Sequence, residues 1–420
     1  MKKKLNQILD KRVINQLVSI ISSILAMSGR ITMLGISRWN DVISYKTIER
    51  FFDKRLDWLS INYKIIKSKL SKNVILVADE STISKSGKVT HNLGYFYSGL
   101  QGRAIKGIQV LSFALVDVDS RRSYPILTTQ LKQSKKKSNP KVTNGKVGRP
   151  KGSKNKNSKD VKLTRLFKVV SWYLKIILKV LKLPTLRYFV YDGAFGNNMG
   201  IQVAKRSNLH LISKLKKNSK LYIKFDGEQK GRGRKRIYGD EIDYDNLDEK
   251  YLKDIKTEDD IEVKSYQLEV IHKKIAGAIN VVIVVTTKLS TNKKTHKIIF
   301  STDLDQEYKQ ILDYYSLRFQ IEFNFRDAKQ YFAMEDFMNI KKRRVHNFVN
   351  LSMFMNNITY ILHTKSEFSK YSVNDMKSLF RAEKYTREVL KLYGLKVDDI
   401  LINEAIRKVS AFSMIHGDVA

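Results

Sequence analysis

The run VILVAD at residues 74–79 decides the fold class. Five consecutive apolar residues precede its final aspartate, and such a run is typical of a strand buried on both faces at the centre of a sheet. A second run, LRYFVYD at 186–192, is also apolar and also ends on an aspartate. We therefore predict an α/β core in which two buried strands end on the carboxylates Asp79 and Asp192.

The segments around these two runs predict the rest of the architecture. Residues 90–130 contain three alternating stretches with turn residues between them, which indicates antiparallel strands. Residues 161–182 have helical spacing, and LHLISKL predicts a third buried strand. We expect five regions: a helical DNA-binding domain at 1–72, the first part of the core at 73–215, a β-rich insertion at 216–300, the second part of the core at 301–345 and a helical region at 346–420.

The N-terminal region offers two interpretations. The segment SYKTIERFF predicts a helix that begins near Ser44 or Tyr45. This helix could be the recognition helix of a helix-turn-helix, or part of a plain helical packing module. The apolar run at 13–27 is shorter than the ~20 residues of a membrane span and is interrupted by polar residues. We expect no membrane association and a cytoplasmic, nucleoid-associated protein.

The charge of the chain points to a polyanionic partner. Lys and Arg number 79 against 41 Asp and Glu, which gives a formal net charge of +38. Such a surplus favours nucleic acid, with a membrane surface as the competing polyanion. The chain has no cysteine, which excludes disulfides and thiolate metal sites.

A lysine-rich segment at 131–160 is predicted to be a disordered loop. Within it, GRPKGSKNK resembles an extended AT-hook, in which Arg149 would enter the minor groove of A·T-rich DNA. A solvated basic linker has a similar composition, so both interpretations stay open.

The segment YYSLRFQIEFNFRDAK at 314–329 contains no Gly or Pro and is predicted to be one helix. Its apolar residues predict burial on most sides. At about 100° per residue, a single stripe of this helix collects one tyrosine and four charged residues: Tyr315, Arg318, Glu322, Arg326 and Lys329. Buried charges are usually paired, bind a metal or face a charged ligand. An internal ion pair from Arg318 to Glu322 is the plainer alternative.

Asp79, Asp192 and Glu322 together form a candidate metal site. Hard divalent cations prefer oxygen ligands, and each Mg²⁺ uses one or two carboxylates. Two such ions about 3.5–4 Å apart promote phosphodiester displacement, with Mn²⁺ as a possible substitute. Arg318 and Lys329 would then hold backbone phosphates, as could Arg326. Taken singly, each aspartate is better explained as a turn former or helix N-cap.

These residues resemble a known family. Tyr315, Arg318, Glu322 and Lys329 are separated by two, three and six residues, a spacing similar to the Tyr-Arg-Glu-Lys signature of the insertion-sequence-four superfamily of bacterial DDE transposases. The segments VADESTISKSGKVTHNLGYFYSG and VYDGAFGNN resemble the two aspartate blocks of that superfamily. The resemblance covers roughly residues 70–350.

The resemblance implies an RNase H-like catalytic core with a β-rich insertion. It implies that Asp79, Asp192 and Glu322 hold two divalent ions, with Tyr315, Arg318 and Lys329 on DNA phosphates. The activity would be cutting at the inverted-repeat ends of an insertion sequence and joining of the 3′-OH to target DNA. Bringing two ends together suggests a homodimer on double-stranded DNA.

Two other functions stay open at this point. One is a transposase-derived DNA-binding protein without catalysis, although an intact set of carboxylates argues against it. The other is a metal-dependent DNA nuclease of the same fold that cuts without joining.

Overall fold

The structure, a computed structural model, describes residues 1–99, 101–132, 161–229 and 231–416. Arg149, its AT-hook-like segment and almost all of the basic loop predicted at 131–160 lie outside the described residues.

The strands of the described residues form one mixed sheet. They are β1 (Val74–Ser84), β2 (Gly94–Ser98), β3 (Arg103–Asp117), β4 (Arg122–Leu131), β5 (Tyr188–Val190), β6 (His210–Lys214), β7 (Leu221–Lys224), β8 (Tyr238–Glu241), β9 (Leu252–Glu258), β10 (Ile261–His272), β11 (Ala278–Lys288) and β12 (Lys293–Ser301).

The sheet is continuous from one end to the other. Its order is β2-β3-β1-β5-β6-β12-β11-β10-β7-β8, with β4 also pairing with β3 and β9 with β10. Strand β1 is antiparallel to β3 and parallel to β5, and β5 is parallel to β6. The strands between 221 and 301 join this core through the antiparallel pair β6–β12. They therefore extend the central sheet rather than forming a separate one.

The helices of the described residues flank the sheet. They are α1 (Lys2–Leu5), α2 (Lys11–Ala26), α3 (Met33–Arg38), α4 (Tyr45–Asp53), α5 (Trp58–Ile66), α6 (Arg165–Leu181), α7 (Asn198–Lys205), α8 (Tyr308–Leu317), α9 (Gln320–Gln330), α10 (Lys342–His363), α11 (Val373–Leu392) and α12 (Asp399–Ala411). The Ser44 side chain caps α4 by accepting from the Thr47 N–H, as the sequence predicted for the start of this helix.

Helix α10 connects the terminal regions to the sheet. It packs against α4, α5, α9 and β4, and most of its side chains are buried. One hydrophobic core runs from Leu5 to Ile358 and includes residues of the sheet. The apolar run at 13–27 lies within α2 and the residue after it, and its large side chains pack into that core. Within the described ranges no helix has the length and hydropathy that crossing a membrane requires.

Two local predictions were wrong. Strand β1 does not end at Asp79 but continues to Ser84, because its backbone stays paired with β3 from Asp79↔Ser112 to Ser84↔Gly107. The helix predicted at 314–329 is two helices, α8 and α9, separated at Arg318 and Phe319.

The break between α8 and α9 is a tightened turn at Arg318 and Phe319. The Phe319 N–H donates to the Ser316 carbonyl and the Glu322 N–H to the Phe319 carbonyl, both three residues back, so the chain tightens there. Helix α8 packs against β6 and β12, whereas α9 packs against β1 and β4. The two helices therefore cover different strands of the sheet.

Candidate active site

Asp79 and Asp192 come from neighbouring parallel strands at the same level. The register pairs Leu76 with Phe189 and Val77 with Val190. Two residues further on, the chain reaches Asp79 on β1 and Asp192 just after β5. Side chains two residues apart on a strand share one face, so the register brings the two carboxylates together.

Asp192 also caps the turn that follows β5. Its Oδ1 accepts from the Ala194 N–H at 3.0 Å, and its backbone carbonyl accepts from the Ser213 hydroxyl at 2.6 Å. The capping role considered for a strand-end aspartate is therefore present. It fixes the position of the residue and leaves its second carboxylate oxygen for other partners.

Arg318 connects Asp79 to Glu322. Its Nη1 lies 3.3 Å from Asp79 Oδ2 and its Nη2 lies 2.9 Å from Glu322 Oε1. The ion pair from Arg318 to Glu322 predicted as the plainer alternative is present, but it extends to a strand 239 residues away in the chain. Only 15% of the Arg318 side chain is exposed. One mostly buried cation is thus shared by two of the three predicted carboxylates.

The surroundings of Asp79 disfavour its charged form. Burial is the largest cause that raises the pKa of Asp79, to about 6, while Arg318 and the N–H of Glu80 act in the opposite direction. Asp192 and Glu322 raise the pKa of Asp79 further through repulsion. A single guanidinium therefore does not compensate for the burial of Asp79 and the repulsion from its neighbours.

This raised pKa gives a testable dependence of stability on pH. Between the ordinary pKa of 3.8 and the folded value of about 6, the folded chain binds more protons than the unfolded chain. The Asp79 contribution to folding stability therefore falls as the pH rises through this range. Between pH 4 and pH 7 we expect the free energy of unfolding of wild type to fall by roughly 2–3 kcal/mol through Asp79. Asp79→Asn should not show this loss, because asparagine does not ionise.

The measurement is urea unfolding of wild type and Asp79→Asn at several pH values in the presence of EDTA. Asp240→Asn, at an exposed position on β8, is the matched control and should follow wild type. An Asp79→Asn protein that parallels wild type from pH 4 to 7 would contradict the raised pKa.

A fourth carboxylate, Glu80, adjoins the three predicted ones. The Tyr191 hydroxyl donates to Glu80 Oε1 at 3.1 Å and the Gln109 amide donates to Oε2 at 2.6 Å. Burial raises the pKa of Glu80, and Asp192 and Asp79 add to that effect. Sequence reasoning did not find this group, because its partners lie 111 and 29 residues away. The adjacent pair Asp79-Glu80 was the only signal.

The structure places the predicted DNA-contacting residues at different distances from the carboxylates. The guanidinium of Arg318 lies 6.0 Å from the centre of the Tyr315 ring. Lys329 Nζ donates to the Thr82 carbonyl of β1 at 2.8 Å, three residues beyond Asp79. Arg326 is exposed and pairs with its neighbour Asp327 at 3.0 Å. The structure thus brings Tyr315 and Lys329 close to the site and does not bring Arg326 there.

Residues 5–271, more than half of the chain, match the family described as DDE superfamily endonuclease. The chain belongs to this family. No curated protein matches the sequence. The match includes Asp79 and Asp192 and ends before Glu322, so the third carboxylate rests on the fold and the signature spacing.

Family membership gives the coarse function. This DDE endonuclease is a transposase-like nuclease, and DNA is the substrate that the family implies. The mixed α/β architecture, with one large sheet flanked by helices, is consistent with a DDE nuclease. The match does not distinguish a bacterial insertion-sequence transposase from other members of this family.

DDE endonucleases generally use divalent metal ions, and the donors of this chain have the right chemistry. Asp79, Asp192 and Glu322 offer hard carboxylate oxygens. Across the described ranges, however, no three His, Asp or Glu side chains are grouped closely enough to hold a metal ion. The Arg318 guanidinium contacts both Asp79 and Glu322. A cation therefore already balances these two carboxylates, as a divalent ion would.

Proposed function

We propose that this protein is a DNA transposase of the insertion-sequence-four superfamily. It would cut at the inverted-repeat ends of an insertion sequence and join the 3′-OH to target DNA. The observation that carries the proposal is the placement of Asp79 and Asp192 at the same level of two parallel strands, with Glu322 linked to Asp79 through their shared cation Arg318. The net charge of +38 supports a DNA substrate.

The proposal includes an RNase H-like core. Its support is the position of the acids: one on the central strand β1, one after the adjacent parallel strand β5, and one on α9, which packs against β1. The strands between 221 and 301 lie between the second and third acids in the chain, as the proposed β-rich insertion requires. The five predicted regions remain part of this proposal.

Asp79, Asp192 and Glu322 would hold two Mg²⁺ ions, for which Mn²⁺ could substitute. When bound, such ions activate an attacking oxygen and stabilise the leaving oxygen of a phosphodiester. Around the carboxylates, the chain's own groups would position the DNA. Arg318 and Tyr315 lie beside Asp79, and Lys329 beside Thr82, where a phosphate held by a cation would meet the carboxylates.

A cleavage and joining assay tests the proposal. Labelled duplexes that cover the DNA on each side of the protein's own gene are incubated with the protein and Mg²⁺ or Mn²⁺, with EDTA as control. We expect cuts at repeated end sequences and, with pre-cut ends, covalent joining to a plasmid. Cutting without joining would favour a nuclease, and binding without cutting would favour a non-catalytic DNA-binding protein.

Lys329 gives a second test of the proposed DNA contacts. Burial lowers the pKa of Lys329, and Glu335 lies 3.8 Å from its Nζ. A phosphate would be a closer anionic partner for this ammonium group. We expect Lys329→Ala to weaken binding of end DNA and to lower the slope of log affinity against log salt by about one.

The slope is measured by fluorescence anisotropy between low and moderate salt. Lys408→Ala is the matched control, because Lys408 is exposed on α12 and pairs with Glu404 at 2.8 Å. An unchanged slope for Lys329→Ala would remove Lys329 from the DNA-contacting residues. Light scattering of the DNA complex tests the proposed homodimer.

A further inference from the structure

A cleft lined by cations lies apart from the candidate carboxylates Asp79, Asp192 and Glu322. A cleft of about 640 Å³ opens between the α4–α5 connection, the end of β4 and the start of α10. We call it the basic cleft and define it by its five cations: Lys54, Arg55, Lys132, Lys342 and Arg343. No aspartate or glutamate lines it among the described residues.

The cations of the basic cleft are not neutralised by ion pairs. Within the described ranges none of the five lies within 4.0 Å of a carboxylate oxygen. The nearby carboxylates Glu49 and Asp53 are both held by Arg344, at 2.7 Å each. Arg344 thus forms the close ion pairs with the acids of α4, and Asp53 acts on Arg343 only at longer range.

The pKa values of two histidines in and beside the cleft are lowered by burial and by the cations of this region. Burial and then Arg343 and Lys342 lower the pKa of His346, which lines the cleft. Burial and then Lys342 and Lys132 lower the pKa of His91, next to the lining residue Asn92. Cations from the end of β4 and the start of α10 therefore act on groups in and beside the cleft.

The backbone of α10 adds to this potential. The helix has 22 residues and begins at Lys342, on the wall of the cleft. The N-terminus of a helix carries a partial positive charge and free N–H groups, which favour phosphate. Here the helix end and the side-chain cations act on the same space.

The basic cleft is connected to the region of the carboxylates. Lys132 also lines a second cavity of about 530 Å³ together with Glu80 and Gln109. Gln109 is paired in register with Leu131, the residue before Lys132. The two features therefore share one part of the sheet, with Lys132 between them.

We propose that the basic cleft binds the sugar–phosphate backbone of duplex DNA on the flank of the cut site. This inference rests on the proposed function, because it assumes that DNA reaches the carboxylates. Five cations without an ion pair among the described residues, contributed by three elements, match a chain of phosphates better than a single small anion. The large apolar side chains that are exposed in the described residues do not line the cleft, which is unlike a membrane-binding surface.

The test is the salt dependence of binding to a fluorescein-labelled DNA duplex of mixed sequence. The first variant carries Lys342→Gln with Arg343→Gln on α10, and the second carries Arg55→Gln with Lys132→Gln from the other two elements of the cleft. All four side chains are exposed, so both variants should fold, which circular dichroism checks. Each variant should lower the slope by about two and the affinity by roughly 30-fold at about 0.15 M salt.

The matched control carries Lys396→Gln with Arg407→Gln, which removes the same charge from exposed positions in and near α12. It should retain the wild-type slope. An equal loss in the control would mean that total charge, and not the cleft, decides binding. If inorganic phosphate at matched ionic strength displaces the duplex from wild type but not from the cleft variants, the cleft is a small-anion site and the proposal fails.

The two proposals fail in different ways. If wild type binds DNA with a steep salt slope and both cleft variants keep that slope, the cleft proposal alone is overturned. If wild type does not bind duplex DNA, the proposed function is overturned together with it. If the cleft variants lose affinity for a duplex RNA of the same sequence but not for the DNA duplex, the assignment to DNA is also overturned.

Discussion

Glu322→Gln is expected to abolish DNA cleavage while leaving DNA affinity at or slightly above the wild-type level. Glutamine keeps the size of the side chain and can still accept from Arg318 Nη2, which lies 2.9 Å from Glu322 Oε1. It removes the charge that a metal ligand needs. A bound metal contributes several kcal/mol of transition-state stabilisation, so cleavage should fall by about a thousandfold or more.

The affinity of Glu322→Gln should rise because the variant removes a negative charge from a surface that must accept phosphate. Glu322 is 39% exposed, so it would face the DNA directly. The measurements are single-turnover cleavage of labelled end DNA with Mg²⁺ and anisotropy binding of the same duplex. Both are needed, since loss of cleavage with loss of binding would indicate misfolding.

Asp313→Asn is the matched control for Glu322→Gln. Asp313 lies on the preceding helix α8 and also pairs with an arginine, Arg121, at 2.6 Å. It does not contact the carboxylates of the site. Its replacement should change cleavage by less than about threefold, in line with the small effect of an exposed ion pair. If Glu322→Gln cleaves as fast as this control, Glu322 is not the third metal ligand.

The sequence predicted the two parallel strands and their acids because both depend on local pattern. A fully apolar run identifies a buried strand wherever its partners lie. It could not predict that β1 continues through the polar segment after Asp79, because that part is held by backbone pairing with β3. The ladder does not depend on apolar side chains, so periodicity carries no signal for it.

Among the charged contacts of the site, those set by local spacing were predictable from the sequence and those set by packing were not. The Arg318–Glu322 pair was predictable from its four-residue spacing. The contact of Arg318 with Asp79 was not, because it forms only when α9 packs on β1. The exposure of Arg326 was missed for a related reason: the stripe was counted by periodicity alone, whereas the packing of α9 on β1 and β4 decides which part of the stripe is covered.

The asparagines of α10 were also beyond sequence reasoning. In HNFVNLSMFMNNITY they interrupt an apolar pattern and would be expected at the surface. Asn347, Asn350, Asn356 and Asn357 are instead buried. Their amide groups are hydrogen-bonded to backbone or side-chain oxygens of other elements. They show how a helix can be fixed against neighbouring helices and a strand by polar contacts that no periodicity predicts.

Asn347→Ala is expected to destabilise the protein by about 3 kcal/mol. The Asn347 amide donates to the Phe52 carbonyl at 2.8 Å and to the Lys54 carbonyl at 2.9 Å, and its Oδ1 accepts from Trp58 Nε1 at 2.9 Å. Alanine would leave the Phe52 carbonyl, the Lys54 carbonyl and the Trp58 indole N–H without this partner. Phe52 is 0% exposed and Trp58 is 1% exposed. Each buried unsatisfied group costs about 1–3 kcal/mol, partly relieved if water enters.

The measurement is urea unfolding of Asn347→Ala beside Asn403→Ala. Asn403 lies exposed in the interior of α12, where alanine is the better helix former, so that control should be neutral or slightly more stable. Because Asn347 holds the backbone at Lys54, hydrogen exchange should accelerate in residues 52–58 before the rest of the chain unfolds. A loss below about 1 kcal/mol would mean that water satisfies the three groups as well as the amide does. In that case the α4–α5 wall of the basic cleft is held by apolar packing and by the ion pairs of Arg344 with Glu49 and Asp53.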